Sequence, residues 1–259
     1  MQPTAVENPG QSPLDASTPS TVALCFAVEG DLRFLSHHDE LRMLARALRR
    51  ARWPLACSQG FNPRPRIVLP LPRRVGTASA CQWAVVQLSE ARPLEQLQDR
   101  LAASLPAACR LRRVVALPPR ATPHPRRVAF ELELERQHAA QAAPRIKELL
   151  AAESLIVERT YGPDKPSRAT DIRPYLETIT LDGCTLAMRL TFVKQRSARP
   201  TEVLTVLDLP ASTYNHRVRQ VEVEWDMALA DPPRRPPSAE RNNVGQEQSG
   251  YTQTKEHEA

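Results

Sequence analysis

The sequence predicts an α+β fold, an α/β sandwich made of two tandem ferredoxin-like β-α-β-β-α-β halves. Three observations predict it. Apolar runs of strand length alternate with segments of helical period, the same element order recurs on both sides of a proline cluster, and 41% of the 259 residues are apolar. A chain of that length and apolar content can bury two compact cores.

The first half spans residues 21–117. Thr21 to Val28 (TVALCFAV) is a β-rich apolar run followed by a turn at Glu29, Gly30 and Asp31. From Ser36 to Arg52, Leu41, Leu44, Ala45 and Leu48 recur at helical spacing, with Arg42, Arg46, Arg49 and Arg50 on the opposite side of the wheel. Ser36 is the expected N-cap and Asp39 the third helical residue, where an acid also suits the positive helix end. Pro54 ends the helix. Leu55 to Ser58 and Arg66 to Leu69 read as short strands and Cys81 to Leu88 as a stronger one. A helix opened by Pro93 runs to about Ser104, and Arg110 to Leu117 closes the half as a strand. One small strand is thus extra to the ferredoxin-like order.

Residues 118–126, with Pro118, Pro119, Pro123 and Pro125, read as a rigid linker. The second half, 127–230, repeats the order. Arg127 to Leu134 alternates as a strand, Ala139 to Ala152 is a helix, and Leu155 to Arg159, Leu176 to Leu181 and Thr185 to Val193 are strands. A helix from Pro200 to Leu207 and a strand from Val218 to Trp225 complete it. No residue-level repeat joins the halves. The arms 1–20 and 231–259, rich in proline and polar residues, are expected to be disordered.

Composition narrows the chemistry. No apolar run approaches the roughly 18 residues of a membrane span, and no charged start leads into an apolar stretch, so a cytoplasmic protein with no membrane contact is expected. Cys25, Cys57, Cys81, Cys109 and Cys184 stand singly and read as small buried hydrophobes, without zinc-knuckle, C-x-x-C or iron–sulfur spacing. No metal or cofactor of its own is expected.

Charge is uneven. Residues 21–120 hold 16 Arg against 7 acidic residues, whereas residues 121–230 hold 15 basic against 15 acidic. A local excess of this kind is what phosphate-binding surfaces require.

Three stretches carry candidate chemistry: Leu32 to Arg52 (LRFLSHHDELRMLARALRRAR), Ser58 to Ile67 (SQGFNPRPRI) and Asp171 to Tyr175 (DIRPY). In the second, Gly60 permits a positive φ, and Pro63 and Pro65 hold the segment extended so that Arg64 and Arg66 project to one side. Phe61 beside these guanidinium groups, with Gln59 and Asn62, has the composition of a loop that stacks bases and grips phosphates. The competing reading has Phe61 plugging the core. His37, at the apolar side of the helix start, reads first as a hydrogen-bonded residue locking the preceding loop, and second as a general acid or base. Asp171, near Lys165, Arg168 and Arg173, reads as the ion-pair partner that orders a loop. The alternative is an anion site shared with the first half, to which Lys194, Arg196 and Arg199 would also contribute.

Together the three stretches resemble the radical SAM-linked protein family, a domain of unknown function that occurs fused to, or encoded beside, radical SAM proteins that often bind cobalamin. His38 departs from the aliphatic residue usual in that family. The resemblance implies a radical SAM partner that carries the iron–sulfur cluster, and the scattered cysteines agree that this chain is not the radical enzyme. The expected function is that of a noncatalytic accessory protein binding tRNA or rRNA, with Arg42, Arg46, Arg49, Arg50, Gln59, Phe61, Asn62, Arg64, Arg66 and Arg173 as contact residues. A protein–protein adaptor docking on the radical enzyme and a metal-independent ribonuclease using His37 are the alternatives.

Overall fold

The computed structural model describes residues 20–160 and 166–226. The expected disordered arms fall outside these residues, apart from Ser20, and so does Lys165. In chain order the first half contains β1 (Thr21–Val28), α1 (His37–Arg50), β2 (Ile67–Val68), β3 (Ala78–Gln87), α2 (Leu94–Ala102) and β4 (Cys109–Leu117). The second contains β5 (His124–Glu133), α3 (Arg136–Ala151), β6 (Ile156–Arg159), β7 (Arg168–Asp171), β8 (Leu176–Asp182), β9 (Thr185–Thr191), α4 (Pro200–Val206), α5 (Ala211–Tyr214) and β10 (Arg219–Asp226). The fold is α+β.

One eight-stranded sheet runs through both halves in the order β4-β1-β3-β10-β5-β9-β8, with β2 on β3. Its pairs are antiparallel except β3 with β10, which are parallel at Ala78 and Ser79. Counting only the strands of its main sheet, each half has the order fourth, first, third, second, an arrangement compatible with tandem ferredoxin-like halves. β2 takes the Val85–Val86 end of β3 and β10 the Ala78–Ser79 end, so the halves join at one end of a shared strand.

β1 is buried at all eight positions because both its faces are covered. Val22, Leu24, Phe26 and Val28 lie under α1 and α2, against Leu44, Leu48, Leu97 and Leu101. Ala23 and Cys25 lie in a second apolar layer with Trp83, Val85, Leu117 and Ala121. In the second half Val128, Phe130 and Leu132 of β5 pack with Ala142, Ile146 and Leu149 of α3 and Val203 and Leu204 of α4. The odd–even burial of strands and the three-to-four spacing of buried helix residues follow from the two side-chain periods.

Several elements differ from the sequence expectation. Leu55 to Ser58 forms isolated bridges, Leu55 to Leu88 and Cys57 to Pro65, instead of a strand, because Pro54, Pro63 and Pro65 leave few N–H groups for a ladder. β5 begins at His124, so the proline stretch is shorter than the expected linker. β6 leaves the main sheet to pair with β7, which has no apolar alternation to announce it. Helix α1 ends at Arg50, and Trp53 Nε1 donates to Leu97 O at 3.0 Å, tying the helix exit to α2.

Two buried ion pairs fasten the loops. Arg73 and Glu40, with side chains 0% and 1% exposed, lie 3.2 Å apart. Arg73 also donates to the carbonyls of Arg33 (2.7 Å), Thr77 (2.6 Å) and Leu32 (3.2 Å), so one guanidinium joins the loop before α1 to the loop before β3. In the second half Arg159 holds both Glu202 oxygens, at 2.8 and 2.6 Å, joining β6 to α4.

Candidate nucleic-acid interface

The start of α1 is set by Ser36, whose Oγ accepts from Asp39 N at 3.2 Å and donates to Asp39 Oδ2 at 2.6 Å. That hydroxyl, first, and Arg42 at 3.2 Å hold the Asp39 carboxyl below its ordinary pKa. Burial of Leu44, Ala47 and Leu48 turns Arg42, Arg46, Arg49 and Arg50 to solvent. Arg42, Arg46 and Arg50 follow one another at four-residue spacing along a groove of about 410 Å³ floored by Leu32, Met43 and Pro106. Arg50, fixed by a 2.7 Å bond to Ser104 O, continues with Arg52 and Arg100 into a neighbouring hollow. Among the described residues Arg46 and Arg49 make no ion pair. The second half differs: across its sheet Arg127 pairs with Glu177 and Glu224, and Arg189 with Glu222. The uneven charge of the sequence is therefore also uneven pairing.

The 58–66 segment is a closed loop. Ser58 N donates to Arg64 O at 2.8 Å, Ser58 Oγ accepts from Arg64 N at 3.1 Å, and Arg66 N donates to Ala56 O at 2.8 Å. Gly60 has φ +138°, a value only glycine adopts readily, and it turns the tip outward. Phe61 at that tip is fully exposed, which rules out the core-plug reading. Gln59, Asn62 and Arg64 are exposed beside it, while Arg66 is steadied by a 3.3 Å bond to Gln87. The two grooves along α1 include none of these loop residues, so helix and loop present two basic features rather than one pocket.

Two expected residues are tied to the protein's own backbone. The Arg173 side chain is bound to backbone carbonyls. Its guanidinium donates to Leu150 O (2.8 Å) and Ala152 O (3.0 Å), carbonyls that the end of α3 leaves open, and to Leu176 O (3.1 Å) at the start of β8. Asp171 accepts from the backbone N–H groups of Leu155 (2.8 Å) and Arg173 (3.0 Å), and these bonds lower its pKa. DIRPY is thus a structural clasp. His37, read first as hydrogen-bonded, has a buried Nδ1 without a partner among the described residues, and its ring lies 5.5 Å from that of His38. A general base needs a group that orients it, and none is found on that nitrogen.

Cys25 and Cys109 are buried and Cys81 and Cys184 half-buried, but Cys57 is exposed, contrary to its reading as a core residue. Burial pushes the Cys81 thiol up to about 11 and Cys109 to about 12, so neither is a thiolate at neutral pH. Among the described residues no group of three His, Cys, Asp or Glu is placed to hold a metal ion, and no helix is long and apolar enough to cross a membrane. Arg74 and Ser197, which no sequence motif marks, meet Arg199 at a hollow between the halves.

The chain belongs to a family of uncharacterized proteins conserved in bacteria, DUF2344, whose model matches residues 22–200. The match runs from β1 to the first residue of α4 and so takes in the arginine helix, the Phe61 loop and the Asp171 clasp. Comparison with curated proteins finds no match.

Proposed function

We propose that this protein is an accessory RNA-binding protein of the cytoplasm that works beside a radical SAM enzyme, gripping tRNA or rRNA with the α1 arginines and the Phe61 loop. The observation that carries the reading is Phe61, a fully exposed aromatic ring on a hydrogen-bonded loop beside the exposed Arg64. Exposing such a ring has no folding benefit, whereas a preformed aromatic platform beside a guanidinium is what unstacked bases bind. The excess of unpaired arginine in the first half supports the same reading. The radical SAM partner rests on the sequence resemblance alone.

Filter binding of the full chain to tRNA and rRNA fragments at 50 and 200 mM salt tests it. Binding is expected, and it should fall steeply with salt, as contacts to several phosphates require. No affinity, or affinity indifferent to salt, would overturn the reading. Co-purification with a radical SAM enzyme that survives nuclease treatment, with no RNA retained by the isolated chain, would favour an adaptor instead.

A further inference from the structure

The halves meet where β3 and β10 run parallel, and beside that seam lies a hollow of about 190 Å³. Its floor is apolar, with Leu71, Phe130 and Phe192, and its polar groups include Arg74 from the first half and Ser197 and Arg199 from the second. Arg74 is exposed and Arg199 half-buried, so solvent reaches both guanidinium groups.

Glu202, beside Arg199, has both its oxygens taken: Oε1 accepts from Arg159 Nε, and Oε2 accepts from Arg159 Nη2 and from Arg199 N at 2.8 Å. Arg199 Nε reaches that carboxylate only at 3.7 Å, and Arg74 makes no ion pair among the described residues. With Glu202 held by Arg159, the Arg74 and Arg199 guanidinium groups are left without a close carboxylate among the described residues. Partial enclosure of its side chain, then the Arg199 charge, lowers the pKa of Arg74, with Glu202 opposing, so the two arginines oppose each other's charge. Among the described residues Ser197 Oγ is buried without a partner, and Ser197 lines both this hollow and the larger one that includes Arg159, Arg168 and Arg196.

The geometry points to an anion site in this hollow for a phosphate monoester, held by the Arg74 and Arg199 guanidinium groups and by the Ser197 hydroxyl as donor. Two guanidinium forks and a hydroxyl match the several acceptor oxygens of a phosphate better than the two of a carboxylate. Two guanidinium groups also suit a monoester, which carries about −1.5 to −2 at neutral pH, better than the single charge of an internal RNA phosphate. The site is independent of the RNA-binding loop. That loop joins β3 at Gln87 and the hollow adjoins β3 at Thr77, about 30 Å apart along an extended strand.

Calorimetric titration of the full chain with inorganic phosphate and with a nucleoside 5′-monophosphate, at constant ionic strength, tests the site. Both are expected to bind, and Arg74→Gln and Arg199→Gln should each weaken binding at least tenfold with unchanged circular dichroism and melting. Arg74→Lys, which keeps the charge and loses the fork, should weaken it less and serves if Arg74→Gln folds poorly. Absence of binding by the natural chain, or binding by a well-folded Arg74→Gln or Arg199→Gln protein equal to that of the natural chain, overturns the proposal. Two RNA oligomers distinguish the source of the phosphate. Preference for a 5′-phosphorylated over a 5′-hydroxyl oligomer, lost in Arg74→Gln, assigns an RNA end, and mononucleotide binding without that preference assigns a free small molecule.

Discussion

Replacing Arg73 by alanine is expected to destabilise the protein by about 3–5 kcal/mol, the range for breaking a buried ion pair by removing one partner. The loss has two parts: Glu40 is left as an uncompensated buried carboxylate, and the carbonyls of Leu32, Arg33 and Thr77 lose their donor. Converting Glu40 to Gln in the same chain should recover the first part and not the second. Burial raises the Glu40 pKa and Arg73 opposes the rise. Because the folded value lies above the unfolded one, the folded chain holds this proton more tightly. The stability contributed is therefore present at pH below the unfolded carboxylate value and is lost as pH rises through the raised folded value. Without Arg73 the folded value rises further, so the deficit of Arg73→Ala should be greatest at neutral pH and narrow toward pH 5. Denaturant melts of both proteins at pH 7 and pH 5 measure this; a deficit below about 1 kcal/mol would show that the pair does not hold the two loops.

The largest expected effect on binding comes from Phe61→Ala. A base stacked on an aromatic contributes about 1–3 kcal/mol by alanine substitution, so RNA affinity should fall by roughly five- to 150-fold. Stability should stay within about 0.5 kcal/mol, because a fully exposed ring has no packing to lose. Filter binding and a melting curve on the same preparation separate the two. Unchanged affinity removes the loop from the RNA-binding account.

The features legible in the sequence are those written locally. β1 has its eight β-rich apolar residues in one run, and α1 carries both its cap, Ser36 with Asp39, and its two faces within one segment. The 58–66 loop is legible in residue type, since glycine and proline set its path, but not in orientation: the same residues allow Phe61 to turn inward or outward. What escaped depends on partners far along the chain. Arg73 and Glu40 are 33 residues apart and Arg159 and Glu202 are 43 apart, and no periodicity links them. Arg173 reads as a free cation because the helix end it caps, at Leu150 and Ala152, lies more than 20 residues earlier. β7 and α5 are four residues each, too short to carry a period.

RNA binding through the Phe61 loop is tested most directly by the salt dependence of Arg64→Ala. Arg64 is exposed and its side chain makes no ion pair among the described residues, whereas Arg66 is steadied by a hydrogen bond to Gln87. If Arg64 neutralises a phosphate, the slope of log affinity against log salt should become shallower by about 0.7 for single-stranded RNA, with the melting temperature unchanged. An Arg64→Ala protein that binds RNA with the same slope and affinity as the natural chain would contradict the account.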